Sequence, residues 1–146
     1  MIALRVAVSC GLIMAMPVVA PVGAGELDDP DKPLEVVFRY VAAVCQPHAS
    51  CYLAVEGKPP SQALVKRLRE LPNTRPLTGT ERARRRKGDP ALLISLSRVT
   101  PLPDGTARVD ERTTMGDREF SSCLYILSRG RDAWQIDQRR SMCDLD

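Results

Sequence analysis

The chain is poor in aromatic residues, with one Trp, three Tyr and two Phe among 146 residues. That excludes the ladder of stacking side chains by which single-stranded nucleic acid is usually held. A single histidine, His48, leaves no second imidazole for a metal site. No nucleophile elbow, Gly-rich phosphate loop, zinc-protease helix motif or dinucleotide fingerprint occurs, which weakens an enzymatic reading. The longest apolar run, residues 6–20, is broken by Pro17 and falls short of the ~20 residues a spanning helix needs. What is present is 44% hydrophobic and 27% charged, a globular composition at the length of one domain.

The apolar run instead reads as the core of a secretory signal. Arg5 supplies the positive start, Val22-Gly23-Ala24 suits a signal peptidase, and Gly25-Glu26 returns to polar sequence. Cys10 stands too close to Arg5 for a lipoprotein signal. The expected organisation is a signal peptide over 1–24, a flexible acidic leader over 25–32 and one domain over 33–146, in a periplasmic or secreted protein. Cleavage would also remove Arg5 from a net charge of only +3, which is too near neutrality to name a partner.

Cleavage would leave Cys45, Cys51, Cys123 and Cys143, an even set that implies two disulfides in an exported chain. Residues 120–127 and 133–142 read as a hairpin. A two-residue turn at Gly130-Arg131 puts Cys123 opposite Gln138, and five extended residues separate that position from Cys143. A Cys123–Cys143 bridge is therefore disfavoured. A local Cys45–Cys51 bridge would require the tail to fold back. The expected pairings are Cys45–Cys123 with Cys51–Cys143, or Cys45–Cys143 with Cys51–Cys123. The stretch Cys45-Gln46-Pro47-His48-Ala49-Ser50-Cys51 has a metal-like look, but its spacing matches no structural zinc site. No metal and no cofactor are expected.

Leu34, Phe38, Val41 and Cys45 recur at helical spacing after Pro33, and Ser61 can cap a second helix through Leu64, Val65, Leu68 and Leu71. Residues 74–90 read as a polar connector with a short surface helix over 81–87. From Ala91 the period changes to two, and four strands follow with turns at Pro101-Leu102-Pro103-Asp104-Gly105 and Met115-Gly116-Asp117. The expected fold is α+β, with two N-terminal helices packed on a curved four-stranded antiparallel meander.

This element order, ending in Gly130-Arg131-Asp132-Ala133-Trp134-Gln135-Ile136, resembles small exported bacterial proteins of the nuclear-transport-factor-two-like superfamily. A cystatin-like helix on a meander is nearly as compatible. The superfamily resemblance implies a cone whose mouth can hold a small ligand, on a fold shared by isomerases, dehydratases and non-catalytic binding modules.

Inward strand positions are mostly aliphatic, with Tyr125 and Trp134 as candidate pocket residues alongside Tyr40. Glu111 is the one carboxylate on an inward strand position, and burial would make it a candidate base. Asp110 faces the other way and cannot pair with it. Arg82, Arg84, Arg85, Arg86 and Lys87 form a basic connector suited to carboxylate or phosphate, or simply a solvated face. No catalytic residue is assigned. The expected function is a non-catalytic binding protein, of inhibitor or immunity type, contacting an unknown protein or an anionic envelope component through the Cys45–Cys51 loop and the basic connector. Nucleic acid is not expected as a partner, and membrane contact is expected only during export. The alternative is a binder of small hydrophobic ligands, or a weak isomerase or hydratase, using Tyr125, Trp134 and Glu111.

Overall fold

Helical spacing of Leu34, Val37, Phe38 and Val41 produces α1 (Asp31–Val41), with all four side chains buried. A 3₁₀ turn over Ala42–Cys45 extends it. The computed structural model describes residues 27–45, 50–86 and 90–145; the expected signal segment, Cys10, His48 and Lys87 lie outside them. Within the segment read as a leader, Leu27 packs against the core, and the Asp29 carboxylate accepts from Arg67 at 2.9 Å. In α2 (Gln62–Leu68) the Ser61 hydroxyl accepts the Leu64 N–H at 3.0 Å, filling one of the vacant donors of the first turn. Leu64 and Leu68 face the same core as α1. Asn73, at φ +57°, turns the chain away after α2. The two helices are also joined by charge: Arg39 bridges Glu35 and Glu70 and donates to the Arg67 carbonyl at 2.9 Å.

The strands are β1 (Cys51–Val55), β2 (Thr74–Pro76), β3 (Leu92–Leu96), β4 (Thr100–Pro101), β5 (Ala107–Met115), β6 (Arg118–Arg129), β7 (Trp134–Ile136) and β8 (Met142–Leu145), with α3 (Gly79–Arg86) between β2 and β3. They form one sheet in the order β2-β1-β3-β5-β6-β7, with β4 on β5 and β8 on β6. The fold is thus α+β with a curled sheet and two disulfides.

The expected antiparallel meander is present as β3, β5, β6 and β7. It is not the whole sheet. β1 pairs in parallel with both β2 and β3. Cys51 and Leu53 enter the main core, whereas Tyr52 and Ala54 pack in a second cluster with Leu77 and Ala91. A strand buried on both faces shows no polar alternation, and so the pattern that marks β3 and β5 is missing from β1. β2 is short and polar and carries Pro76 at the edge of the sheet, a position where a missing N–H costs little.

The disulfide expectation is overturned. Cys45 is bonded to Cys51, and Cys123 to Cys143 across a Cα–Cα distance of 4.1 Å. The hairpin turn is longer than expected, with Arg129 opposite Trp134 and Leu127 opposite Ile136. After Asp137, whose N–H still donates to the Ile126 carbonyl at 2.8 Å, residues 138–141 leave the ladder: the Asp137 carbonyl accepts from the N–H groups of Arg140 and Ser141, and the Ser141 hydroxyl accepts the Ile126 N–H at 3.0 Å. That excursion takes up length before β8 rejoins β6, so Cys143 returns directly opposite Cys123. The tail does fold back.

Candidate functional site

Alternation along β5 turns Ala107, Val109, Glu111 and Thr113 inward, and all four are buried. Across the sheet Glu111 stands between Leu96 of β3 and Cys123 of β6, while Thr113 stands opposite Ser121. Tyr125, two residues beyond Cys123 on β6, shares this face and is buried in the same cluster. The concave face therefore brings together Glu111, Thr113, Ser121, Tyr125 and the Cys123–Cys143 bridge.

Glu111 is 3% exposed. Its Oε1 accepts from the Thr113 hydroxyl, and the Ser121 hydroxyl lies 3.5 Å from both carboxyl oxygens. Burial raises its pKa above the ordinary 4.5, outweighing the hydrogen bonds from Thr113 and Ser121 that favour the anion, and the charge of Glu119 adds to the rise. The Tyr125 phenol is likewise pushed up, first by burial and then by the charges of Glu111 and Tyr40. Its oxygen lies 3.9 Å from Cys143 Sγ, a weak O–H···S contact. Tyr40 of α1, 51% exposed, meets the Tyr125 ring edge-on at 5.8 Å.

The sign of the pH effect follows. An acid whose pKa is higher folded than unfolded stabilises the fold fully below its unfolded value, and that contribution disappears as pH rises through the folded value. Wild-type protein should therefore melt at falling temperature as pH climbs from about 4.5 toward neutrality. Glu111→Gln should lose that slope and melt above wild type at pH 8, as read by circular dichroism. An unchanged slope in the variant would assign it to another group. Asp29 and Asp104, held below the usual 3.8 by hydrogen bonds from Arg67 and Thr106 respectively, act in the opposite direction and at more acidic pH.

Trp134 does not join Glu111 and Tyr125. It lies opposite Arg129, four residues along β6 from Tyr125, or about 13 Å in extended chain. There it packs into the core and lines a cleft of about 270 Å³ with Lys32, Glu35, Val36 and Arg129. Two larger hollows, of about 380 and 340 Å³, are lined by Glu111 together with Ser95, Ser97 and Arg112, and by Pro30, Val55 and Pro59. Neither is lined by Tyr125 or Trp134.

Of the basic connector, Arg82 is exposed and donates to the Gly57 carbonyl. Arg84, Arg85 and Arg86 belong to the backbone of α3, which Thr78 caps by accepting the Glu81 N–H at 3.3 Å. The Thr78-x-x-Glu81 spacing is the sequence pattern of a capping box, here with the Thr78 hydroxyl donating to the Glu81 carboxylate, and could have placed the start of α3 from sequence. Gly57 follows the end of β1, and Cys51 begins it, so the basic segment and the Cys45–Cys51 bridge stand at opposite ends of that strand. Sequence reasoning missed the apolar surface at the end of α1, where Tyr40 and Val44, four residues apart, are 51% and 59% exposed. Among the described residues no cluster of His, Cys, Asp and Glu could hold a metal ion, and no helix is long and apolar enough to cross a membrane.

The chain matches no protein-family model, no curated protein and no solved structure.

Proposed function

We propose that this chain is an exported, non-catalytic binding protein that engages a partner protein through the apolar end of α1, in the manner of an inhibitor or immunity protein. The observation that carries the reading is the exposed Tyr40 and Val44 pair on a braced support. Tyr40 rests against the buried Tyr125, and the Cys45–Cys51 bridge ties the end of the helix to β1. An aromatic side chain already held in place loses little freedom on binding, and such residues dominate interface energies. The two disulfides suit an oxidising compartment, which supports export. The core around Tyr125, with Phe38, Leu127 and Val109 fully buried, and the absence of both Tyr125 and Trp134 from the hollow that Glu111 lines favour this reading over a ligand cone built from all three residues. The basic connector, at the far end of β1, is a second and independent contact for an acidic region of the partner or for an anionic envelope component.

The test is recovery of a binding protein from envelope extract, followed by affinity measurement with that purified protein. Tyr40→Ser with Val44→Ser should weaken binding by about 2 kcal/mol, roughly 30-fold, with circular dichroism unchanged. Arg84→Ser, Arg85→Ser and Arg86→Ser together should flatten the salt dependence of binding. Unaltered affinity in the first variant would remove the end of α1 from the interface.

A further inference from the structure

The two disulfides stand in opposite environments. Cys45, at the end of the turn that follows α1, and Cys51, the first residue of β1, are both 0% exposed and belong to the core cluster. In the other bridge Cys123 is buried but Cys143 is exposed. Cys143 belongs to β8, which among the described residues pairs with β6 alone and so stands at an edge of the sheet. Thiol–disulfide exchange requires the attacking sulfur to approach along the extension of the S–S bond. Cys143 is an exposed residue on an edge strand, whereas both cysteines of the other bridge are fully buried in the core.

Attack at Cys143 drives the electron pair onto the Cys123 sulfur. A thiolate there would be formed at a buried position, where the charged state is costly, so the departing sulfur needs a proton at once. The residue directly opposite Cys123 in the ladder is Glu111, and side chains so placed have Cβ atoms about 4.5–5.5 Å apart. Around that carboxyl stand Thr113 and Ser121, with Tyr125 beside them on β6, Glu119 as the further acid, and Tyr40 contributed by α1 against Tyr125.

We infer that Cys123–Cys143 is a thiol-exchange site for a dithiol reductant, in which Glu111 protonates the Cys123 sulfur as it leaves. The first thiolate of the dithiol bonds to Cys143 Sγ while the protein S–S bond breaks and Cys123 takes the Glu111 proton. The second thiol of the reductant then loses its proton and displaces Cys143, closing the reductant's own disulfide. Cys143 leaves as a thiolate and is protonated by water, and Glu111 is reprotonated from solvent. The net change is one dithiol oxidised and one protein disulfide reduced. Reduction removes the covalent tie between β8 and β6, leaving the strand held by the four ladder positions from Ser121 to Leu124. The inference stands apart from the binding reading, because it concerns the opposite end of the Tyr125 contact and needs no partner protein.

The experiment treats the full disulfide-bonded protein with dithiothreitol across pH 5–9, traps free thiols by alkylation and locates them by mass spectrometry. Alkylation should appear at Cys123 and Cys143 at least about tenfold sooner than at Cys45 and Cys51. Expressed per reductant thiolate, the wild-type rate should fall as rising pH ionises Glu111. Glu111→Gln should be slower by about tenfold at acidic pH and independent of pH on the same scale. Glu111→Asp, which keeps the carboxyl, should retain the fall with pH, and serves as the readout if the Gln variant does not fold. Simultaneous opening of both bridges, or earlier opening of Cys45–Cys51, would overturn the exchange site. A thiolate-corrected wild-type rate that is flat with pH, or an unchanged rate in Glu111→Gln, would overturn the role of Glu111.

Discussion

Replacing Phe38 by alanine is expected to cost about 3–5 kcal/mol of folding stability, a large part of the 5–15 kcal/mol available to a domain of this kind. Phe38 is 0% exposed and belongs to the cluster that joins α1 to the inner face of β3, β5 and β6. Truncation removes the ring's transfer energy and leaves a cavity that the disulfide-tied end of the helix cannot easily move to fill. The check is urea unfolding followed by tryptophan fluorescence, since Trp134 lies in the same cluster. The midpoint should drop with little change in slope. Tyr40→Ala, two residues away but half in solvent, should lose less than about 1 kcal/mol. A loss below about 1 kcal/mol for Phe38→Ala would show that α1 does not close the concave face.

Removing Cys123 and Cys143 together as alanines should cost about 3 kcal/mol through the loop-closure entropy of a bridge 20 residues apart in sequence. The loss should also have a place. Amide protons of β8 and of its partners Ser121 to Leu124 should lose hydrogen-exchange protection, because β8 is a four-residue edge strand and such units open locally at low cost. The ladder between β3 and β5 should keep its protection. If the β8 amides remain protected in the double variant, the tail is held by its backbone pairing and the bridge is not what retains it.

This second result bears on how far local pattern reaches. Period two across 120–127 and 133–142 correctly announces a hairpin, and it correctly places Trp134 and Ile136 on the face of Tyr125 and Leu127. It cannot announce that Asp137 and Ser141 will satisfy one another and Ile126 out of line. Three residues of slack follow from that loop, and they reverse the pairing of all four cysteines. Similarly, Glu111 was visible as an inward carboxylate because β5 alternates cleanly, but its neighbours Leu96 and Cys123 come from strands whose register no local spacing reports. The proximity of Tyr40 to Tyr125 crosses 85 residues of sequence, and no local spacing reports it.

The amino-acid sequence by itself determined the helix α1, the Ser61 cap of α2, the four-strand meander and the inward position of Glu111. Each rests on side-chain periodicity or on a hydrogen bond within a few residues. Only the tertiary structure decided the parallel pairing of β1, the return of β8, the partners of the four sulfurs and the distance of Trp134 from Glu111. Those depend on which strands lie side by side and on how much chain each loop absorbs, and both are settled by burial across the whole sheet.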